Sequence, residues 1–446
     1  MIYRKITKRL EKMRECGGKY ALLIDGARQV GKTFSVREFA RAHYDVFIEI
    51  NFIKMKGAVE IFENVEDEKD VLVKISALTK RKIEKGRTLI FFDEVQKCPE
   101  AVTYIKFLVE EGTCHYVLSG SLLGVELKNI RSVPVGYMDE VKMYPLDFEE
   151  FVNANGESSM LLEAARRAWE NRKPLDSVYH TRLKKLFRLY LVVGGMPAVV
   201  QKYLDTHDIS QVVAEQRKIL SLYRTDITQY DEKDALRIRA VFDRIPAELN
   251  DKNKRFFASS LQPGMRFENL GDEFLWLKEA GVALSVVNVE EPKLPLRLAE
   301  KPSLFKLFSN DVGLLAAQYM KGIQLRILNG EADINFGSVY ENAVAQELAA
   351  HGFELNYYDS NRHGELDFVL EVEGGLLPIE VKSGKHYRRH RALNRVLEEP
   401  ESAVREALIL NDDSLEVDGR LVYAPVYMVM FLKSDPLPEK MIYTID

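Results

Sequence analysis

The chain has 446 residues, 46% of them hydrophobic and 29% charged, with a formal net charge of −5. That length exceeds one hydrophobic core. The mild negative charge excludes a molecule that grips polyanions over its whole surface, so nucleic-acid contact must come from local basic patches.

The opening MIYRKITKRLEKMREC is charged and helical in spacing, unlike a secretory leader. No run approaches the ~18 apolar residues of a membrane span, so no membrane role is expected. Cys16, Cys98 and Cys114 form neither a CxxC pair nor a Cys/His zinc spacing. They point to a reducing, cytoplasmic setting rather than a disulfide framework. From residue 20 to 145 short apolar strands (YALLIDG, VFIEINF, TLIFFDEV, HYVLSGS, EVKMYPL) alternate with amphipathic helices, which predicts a parallel sheet flanked by helices. Residues 147–235 read as helices broken at Val193-Gly-Gly-Met-Pro197, a turn by its Gly and Pro chemistry. Helices at VFDRIPAELN and ENLGDEFLWLKEAG then lead to the apolar runs VALSVVNV and SLFKLFS, the helix-then-hairpin order of a winged helix. A helix from near Phe336, followed by LDFVLEV, PIEV, ALIL and VYMVM, predicts a small terminal α/β domain. The expected fold class is therefore a multidomain α/β chain.

Gly26-Ala-Arg-Gln-Val-Gly-Lys32-Thr33 matches GxxxxGK[ST], placed after an apolar strand and before a helix. Backbone N–H groups of such a loop close around phosphate, aided by the helix N-terminus. Gly26, Arg28, Gln29, Val30, Gly31, Lys32, Thr33 and Phe34 are the expected ATP contacts, Lys32 reaching the β- and γ-phosphates and Thr33 ligating Mg²⁺. Leu89-Ile-Phe-Phe-Asp93-Glu94 is an apolar strand ending in two acids: Asp93 is expected to hold Mg²⁺ through water and Glu94 to polarise the attacking water. Ser119 or Ser121, closing the next strand, is a candidate γ-phosphate sensor, and a Ser/Gly turn describes them equally well. For an arginine finger the candidates are Arg131 and, less directly, Arg28. An arginine from a neighbouring copy would make a homo-oligomer.

The set GARQVGKT, LIFFDEVQ, YVLSGSLLG, YPLDFEEF, VVGGMP and LYRTDI resembles a large group of bacterial and archaeal AAA-type P-loop ATPases. In that group the ATPase is joined to a C-terminal domain of unknown function with a restriction-nuclease-like core. The resemblance runs along nearly the whole chain. It implies an ATPase core over 1–150, a helical lid over 151–235, a winged-helix-like module over 236–330 and a PD-(D/E)XK nuclease-like domain over 331–446.

The residues of that last segment support a second charged centre. In Gly364-Glu-Leu-Asp-Phe-Val-Leu-Glu-Val372 and Pro378-Ile-Glu-Val-Lys-Ser-Gly384, alternation puts Asp367, Glu380 and Lys382 opposite their apolar neighbours. The Glu373-Gly-Gly-Leu link suits a hairpin. The D-x(12)-ExK spacing resembles that of PD-(D/E)XK nucleases. Glu341 lies beside the apolar stripe of the preceding helix, where an inward carboxylate needs a cation partner. Mg²⁺ held by Glu341, Asp367, Glu380 and the Val381 carbonyl would serve, with Lys382 orienting the attacking water. Lys385-His-Tyr-Arg-Arg-His-Arg391, with Tyr387 for stacking, and the upstream Lys252, Lys254, Arg255 and Arg266 are candidate phosphate contacts. The expected function is a Mg²⁺/ATP-dependent ATPase coupled to a nuclease-like domain acting on nucleic acid. The alternative is a nucleotide-dependent interaction switch whose last domain is catalytically silent.

Overall fold

The computed structural model describes residues 2–434 apart from 66, 122–135, 229–231, 252–253, 262–263, 265–269, 320–321, 332–336, 374, 385–386 and 400–402. Arg131, Lys252, Arg266, Phe336 and Lys385 therefore lie outside the described residues.

In chain order the first elements are α1 (Ile6–Glu15), β1 (Ala21–Asp25), α2 (Lys32–His43), β2 (Val46–Asn51), α3 (Glu68–Thr79), β3 (Thr88–Asp93), α4 (Pro99–Glu111), β4 (His115–Ser119) and β5 (Met138–Lys142). Seven helices follow: α5 (Phe148–Ala154), α6 (Ser159–Glu170), α7 (Ser177–Val193), α8 (Pro197–Thr206), α9 (Ile209–Ile227), α10 (Glu232–Asn250) and α11 (Gly271–Glu279). The chain continues with β6 (Ala283–Val289), β7 (Glu300–Ser309), α12 (Val312–Gln318), α13 (Ile323–Asn329), α14 (Gly337–Ala350), β8 (Asn356–Ser360), β9 (Gly364–Val372) and β10 (Gly375–Val381). The last are α15 (Arg391–Leu397), β11 (Ala407–Asn411), β12 (Glu416–Asp418) and β13 (Leu421–Pro425). These elements form two compact units, each drawn from separate stretches of sequence.

The first unit comprises 1–146, 196–239 and 271–283. Its sheet has the order β2-β3-β4-β1-β5 and all its pairings are parallel, as the alternation of strands and helices predicts. β3 is buried at every position, which is why TLIFFD reads as a continuous apolar run instead of an alternating one. Ile48, Ile90, Phe92, Tyr116 and Leu118 from the strands share one core with Val71 and Ile75 of α3 and Val102 and Ile105 of α4. Each such side chain contributes about 1.5–3 kcal/mol by leaving water. In-register pairing aligns Asn51 with Asp93 and Asp93 with Ser119, so three polar residues end three neighbouring strands side by side.

The second unit comprises 147–195, 240–270 and 284–446, built on an eight-stranded mixed sheet ordered β12-β13-β11-β10-β9-β8-β6-β7. β9 and β10 form the expected antiparallel hairpin, pairing Phe368 with Ile379. The two runs read as the wing of a winged helix, β6 and β7, lie instead at one edge of this sheet, β6 running parallel to β8. A hairpin's apolar alternation is the same whether it stands alone or extends a sheet. VYMVM, read with the strands, forms buried 3-10 turns over Val426–Phe431, because a short apolar run does not distinguish strand from helical turn. α14 is buried on all sides from Ser338 to Ala349, the pattern of a central helix.

The Gly-Gly break is a turn with a specific cause. Gly194 has φ +75°, and a Cβ there would stand 2.2 Å from Asp311 Oδ1. The neighbouring Gly195 N–H donates to Asp311 Oδ2 at 2.6 Å.

Candidate functional site

The phosphate loop joins β1 to α2 and turns through left-handed conformations at Gln29 and Gly31. Gly26 has no room for a side chain, since a Cβ would lie 2.2 Å from the Met143 carbonyl oxygen. Val30 is wholly buried, and its carbonyl accepts Arg4 Nη1 at 2.7 Å, while Arg4 Nη2 donates to the Tyr144 carbonyl at 2.7 Å. This buried arginine braces the loop from α1's side and carries no local motif that would reveal it.

A cavity of ≈ 650 Å³ opens over the loop, lined among others by Arg28, Lys32, Thr33, Phe34, Glu94 and Ser121. That is the size range of nucleotide and cofactor sites. Lys32 Nζ donates to the carbonyls of Gly26 at 2.6 Å and Ala27 at 2.9 Å. Burial lowers its pKa to about 8, opposed by the charges of Glu94, Asp25 and Asp93 and reinforced by Arg28. A polyphosphate brought to this ammonium would be met by a cation already stripped of water.

Asp93 receives three side-chain donors: Thr33 Oγ1 at 3.2 Å, Asn51 Nδ2 at 2.8 Å and Ser119 Oγ at 2.5 Å. Ser119 is thus wholly buried against Asp93, and Ser121 is the serine that reaches the cavity. Asn51 was not singled out in the sequence, although its place at the end of β2 carries the signal. Glu94 sits in the left-handed region at φ +59°, a costly conformation for glutamate that concentrates at functional sites. Its Oε2 accepts Gln96 Nε2 at 2.6 Å and Ser121 Oγ at 3.4 Å. The Thr33 hydroxyl and Asp93 carboxylate are hard oxygen donors side by side, which suits Mg²⁺.

Residues 18–152 match a family described as an AAA domain, and two further stretches match domains of unknown function: 184–325 (DUF8612) and 336–427 (DUF4143). Residues 18–152 form an AAA-type P-loop domain. The chain is also similar to a Walker-type ATPase of Pyrococcus abyssi (15% identity, 72% of this chain and 96% of that one, TM-score 0.40). A second similar structure is the Aeropyrum pernix ORC1 protein solved with DNA (13%, 73% and 95%, TM-score 0.31). A third is Cdc6p of Pyrobaculum aerophilum (11%, 74% and 96%, TM-score 0.25). At those TM-scores the similarities carry neither fold nor function across. No curated protein matches the chain. Among the described residues no helix is long and apolar enough to cross a membrane.

The second charged centre lies in the other unit. Glu341 on α14, Asp367 on β9 and Glu380 and Lys382 on and just beyond β10 come together: the Asp367 charge acts on Glu341, Glu380 and Lys382, and the Glu341 charge on Glu380 and Lys382. Burial, then the Asp367 charge, pushes both Glu341 and Glu380 up to about 7. Burial alone would lower the Lys382 ammonium, but Glu380 and Asp367 outweigh it and the net direction is upward. Glu341 has the cation partner its position demands, and that partner is Lys254. Lys382 pairs with Glu380, and Asp367 Oδ2 accepts the Val381 N–H at 2.8 Å.

The metal expected at this centre does not fit the arrangement seen. Two carboxylates already have ammonium partners, although Glu341 Oε2 has no hydrogen-bond donor. Among the described residues no group of three His, Cys, Asp or Glu is arranged to hold a metal ion. Lys306, wholly buried against Glu365 and the Tyr357 ring, adds another positive charge near Glu341. Of the flanking basic residues, Arg255 pairs with Asp359 and Arg388 with Glu416, while the Tyr387 ring meets Tyr423 edge-on.

Proposed function

We propose that the chain is a Mg²⁺/ATP-dependent ATPase whose second unit engages nucleic acid through the face carrying Lys382. The observation that carries the first half is that Lys32, Thr33 and Glu94 line one nucleotide-sized cavity, with Asp93 bonded to the Thr33 hydroxyl. Lys32 and the loop N–H groups would bind the phosphates, Thr33 and Asp93 would hold Mg²⁺, and Glu94 would take a proton from water. Bound there, Mg²⁺ supplies charge neutralisation to the phosphates. Turnover assays test this: Lys32→Ala should weaken nucleotide binding about tenfold or more, and Glu94→Gln should keep binding but slow hydrolysis by about a hundredfold or more. Wild-type hydrolysis unchanged in both variants would refute the assignment.

The convergence of Glu341, Asp367, Glu380 and Lys382 supports a nuclease-type core in the second unit, and the pairing of Glu341 with Lys254 and of Glu380 with Lys382 favours the version that binds without cutting. Lys254 stands at the carboxylate where a divalent ion would be needed. Wild type and Lys382→Ala should therefore give the same intact single- and double-stranded DNA and RNA with Mg²⁺ or Mn²⁺, while anisotropy detects salt-sensitive binding. Cleavage that disappears in Lys382→Ala would establish a cutting enzyme instead. Absence of both binding and cleavage would leave a nucleotide-driven switch with another kind of partner.

A further inference from the structure

Arg28, expected from the sequence as an ATP contact and as a candidate arginine finger, is a phosphate-loop side chain to which the proposed mechanism above gives no specific step. Its Nη1 bonds Asp226 Oδ1 at 2.5 Å, near the end of α9, and its Nε lies 3.5 Å from Ser121 Oγ. Its backbone carbonyl accepts the Tyr223 hydroxyl at 3.2 Å. Tyr223 and Asp226 are three residues apart, so one face of α9 supplies both contacts. Ser121 in turn touches Glu94, and a continuous polar path runs Asp226–Arg28–Ser121–Glu94 along the cavity.

The two ends of this path differ in environment. Asp226 is buried, with a side chain 7% exposed, whereas Arg28 is 31% exposed and lines the cavity beside Lys32, Thr33 and Glu94. A guanidinium has donors on all three nitrogens in a fixed fork. Asp226 and Ser121 engage Nη1 and Nε, and among the described residues Nη2 has no partner. A free arginine loses much rotamer freedom on gripping a ligand. One already clamped by a buried carboxylate loses less, which is the advantage of preorganisation. Planar, forked donors are also what phosphate recognition favours.

We propose that Arg28 contacts the γ-phosphate as an arginine supplied from the same chain, and that Asp226 is its positioning residue. The proposal rests on the ATPase reading. On it, α9 sets how well the site distinguishes ATP from ADP. An anchoring role alone, tying α9 to the loop, would affect the two nucleotides equally.

The test is calorimetric binding of Mg²⁺ with ADP and with a non-hydrolysable ATP analogue to the full chain. Arg28→Ala and Asp226→Asn should each lower the preference for the triphosphate about tenfold, the loss falling on the triphosphate. Arg28→Lys should retain part of the preference, because charge survives without the fork, and Asp226→Glu should recover part of it. The double variant should be no worse than Arg28→Ala, since Asp226 acts through Arg28. An unchanged preference in Arg28→Ala and Arg28→Lys, or equal weakening of both nucleotides, would overturn the assignment while leaving the ATPase reading intact. A wild-type chain that binds neither nucleotide would overturn both.

Discussion

Asp311 is a carboxylate enclosed by the protein and held by backbone donors: Gly195 N at 2.6 Å and Leu314 N at 2.9 Å, the second capping α12. Burial raises its pKa from 3.8 to about 6, with those hydrogen bonds opposing the rise. The folded chain therefore holds this proton more tightly than the unfolded chain does. Its contribution to stability is greatest below about pH 4 and is lost as pH climbs through 6. In urea denaturation, wild type should gain roughly 1 kcal/mol on Asp311→Asn between about pH 7 and pH 5. The variant should also be less stable at both, because one amide cannot accept from all the same donors. An identical pH response of the two proteins would show that Asp311 does not titrate in this range. Lys254 teaches a related lesson at the same scale. The inward position of Glu341 was legible as a demand for positive charge, but periodicity along α14 cannot say whether a metal or a distant ammonium meets it.

Among elements, β6 and β7 carry the clearest departure from the linear reading. With them in place β8 is an interior strand, flanked by β9 and β6. A fragment spanning 331–446 keeps every strand of the expected terminal domain yet leaves β8 with one row of unpaired N–H and C=O groups. Such an edge is a template for pairing with another molecule. Light scattering should show this fragment self-associating, and extension back to residue 284 should reduce that association. Equal behaviour of the two fragments would mean that the edge is covered in some other way. For the winged-helix expectation the same elements show what the order of helices and hairpin could not, that the strands read as the wing extend the larger sheet.

For the whole molecule, what was legible follows what is local. The loop from Gly26 to Thr33 and the pair Asp93-Glu94 were readable because a phosphate-binding turn and a buried strand end are contiguous patterns, and five parallel strands followed from alternation. Arg4 and Asp226 were not readable. Each reaches its partner through space, across 26 residues for Arg4 and Val30 and 198 for Arg28 and Asp226. Consecutive domains were expected, whereas the two units take turns along the chain. That alternation matters during synthesis, when a chain leaves the ribosome at about 5–20 residues per second. The parallel sheet and its loop are made well before α9, so a nascent chain presents Arg28 for some seconds with no carboxylate to hold it. On the proposal that Arg28 contacts the γ-phosphate, triphosphate selectivity would be acquired late in translation rather than with the loop itself.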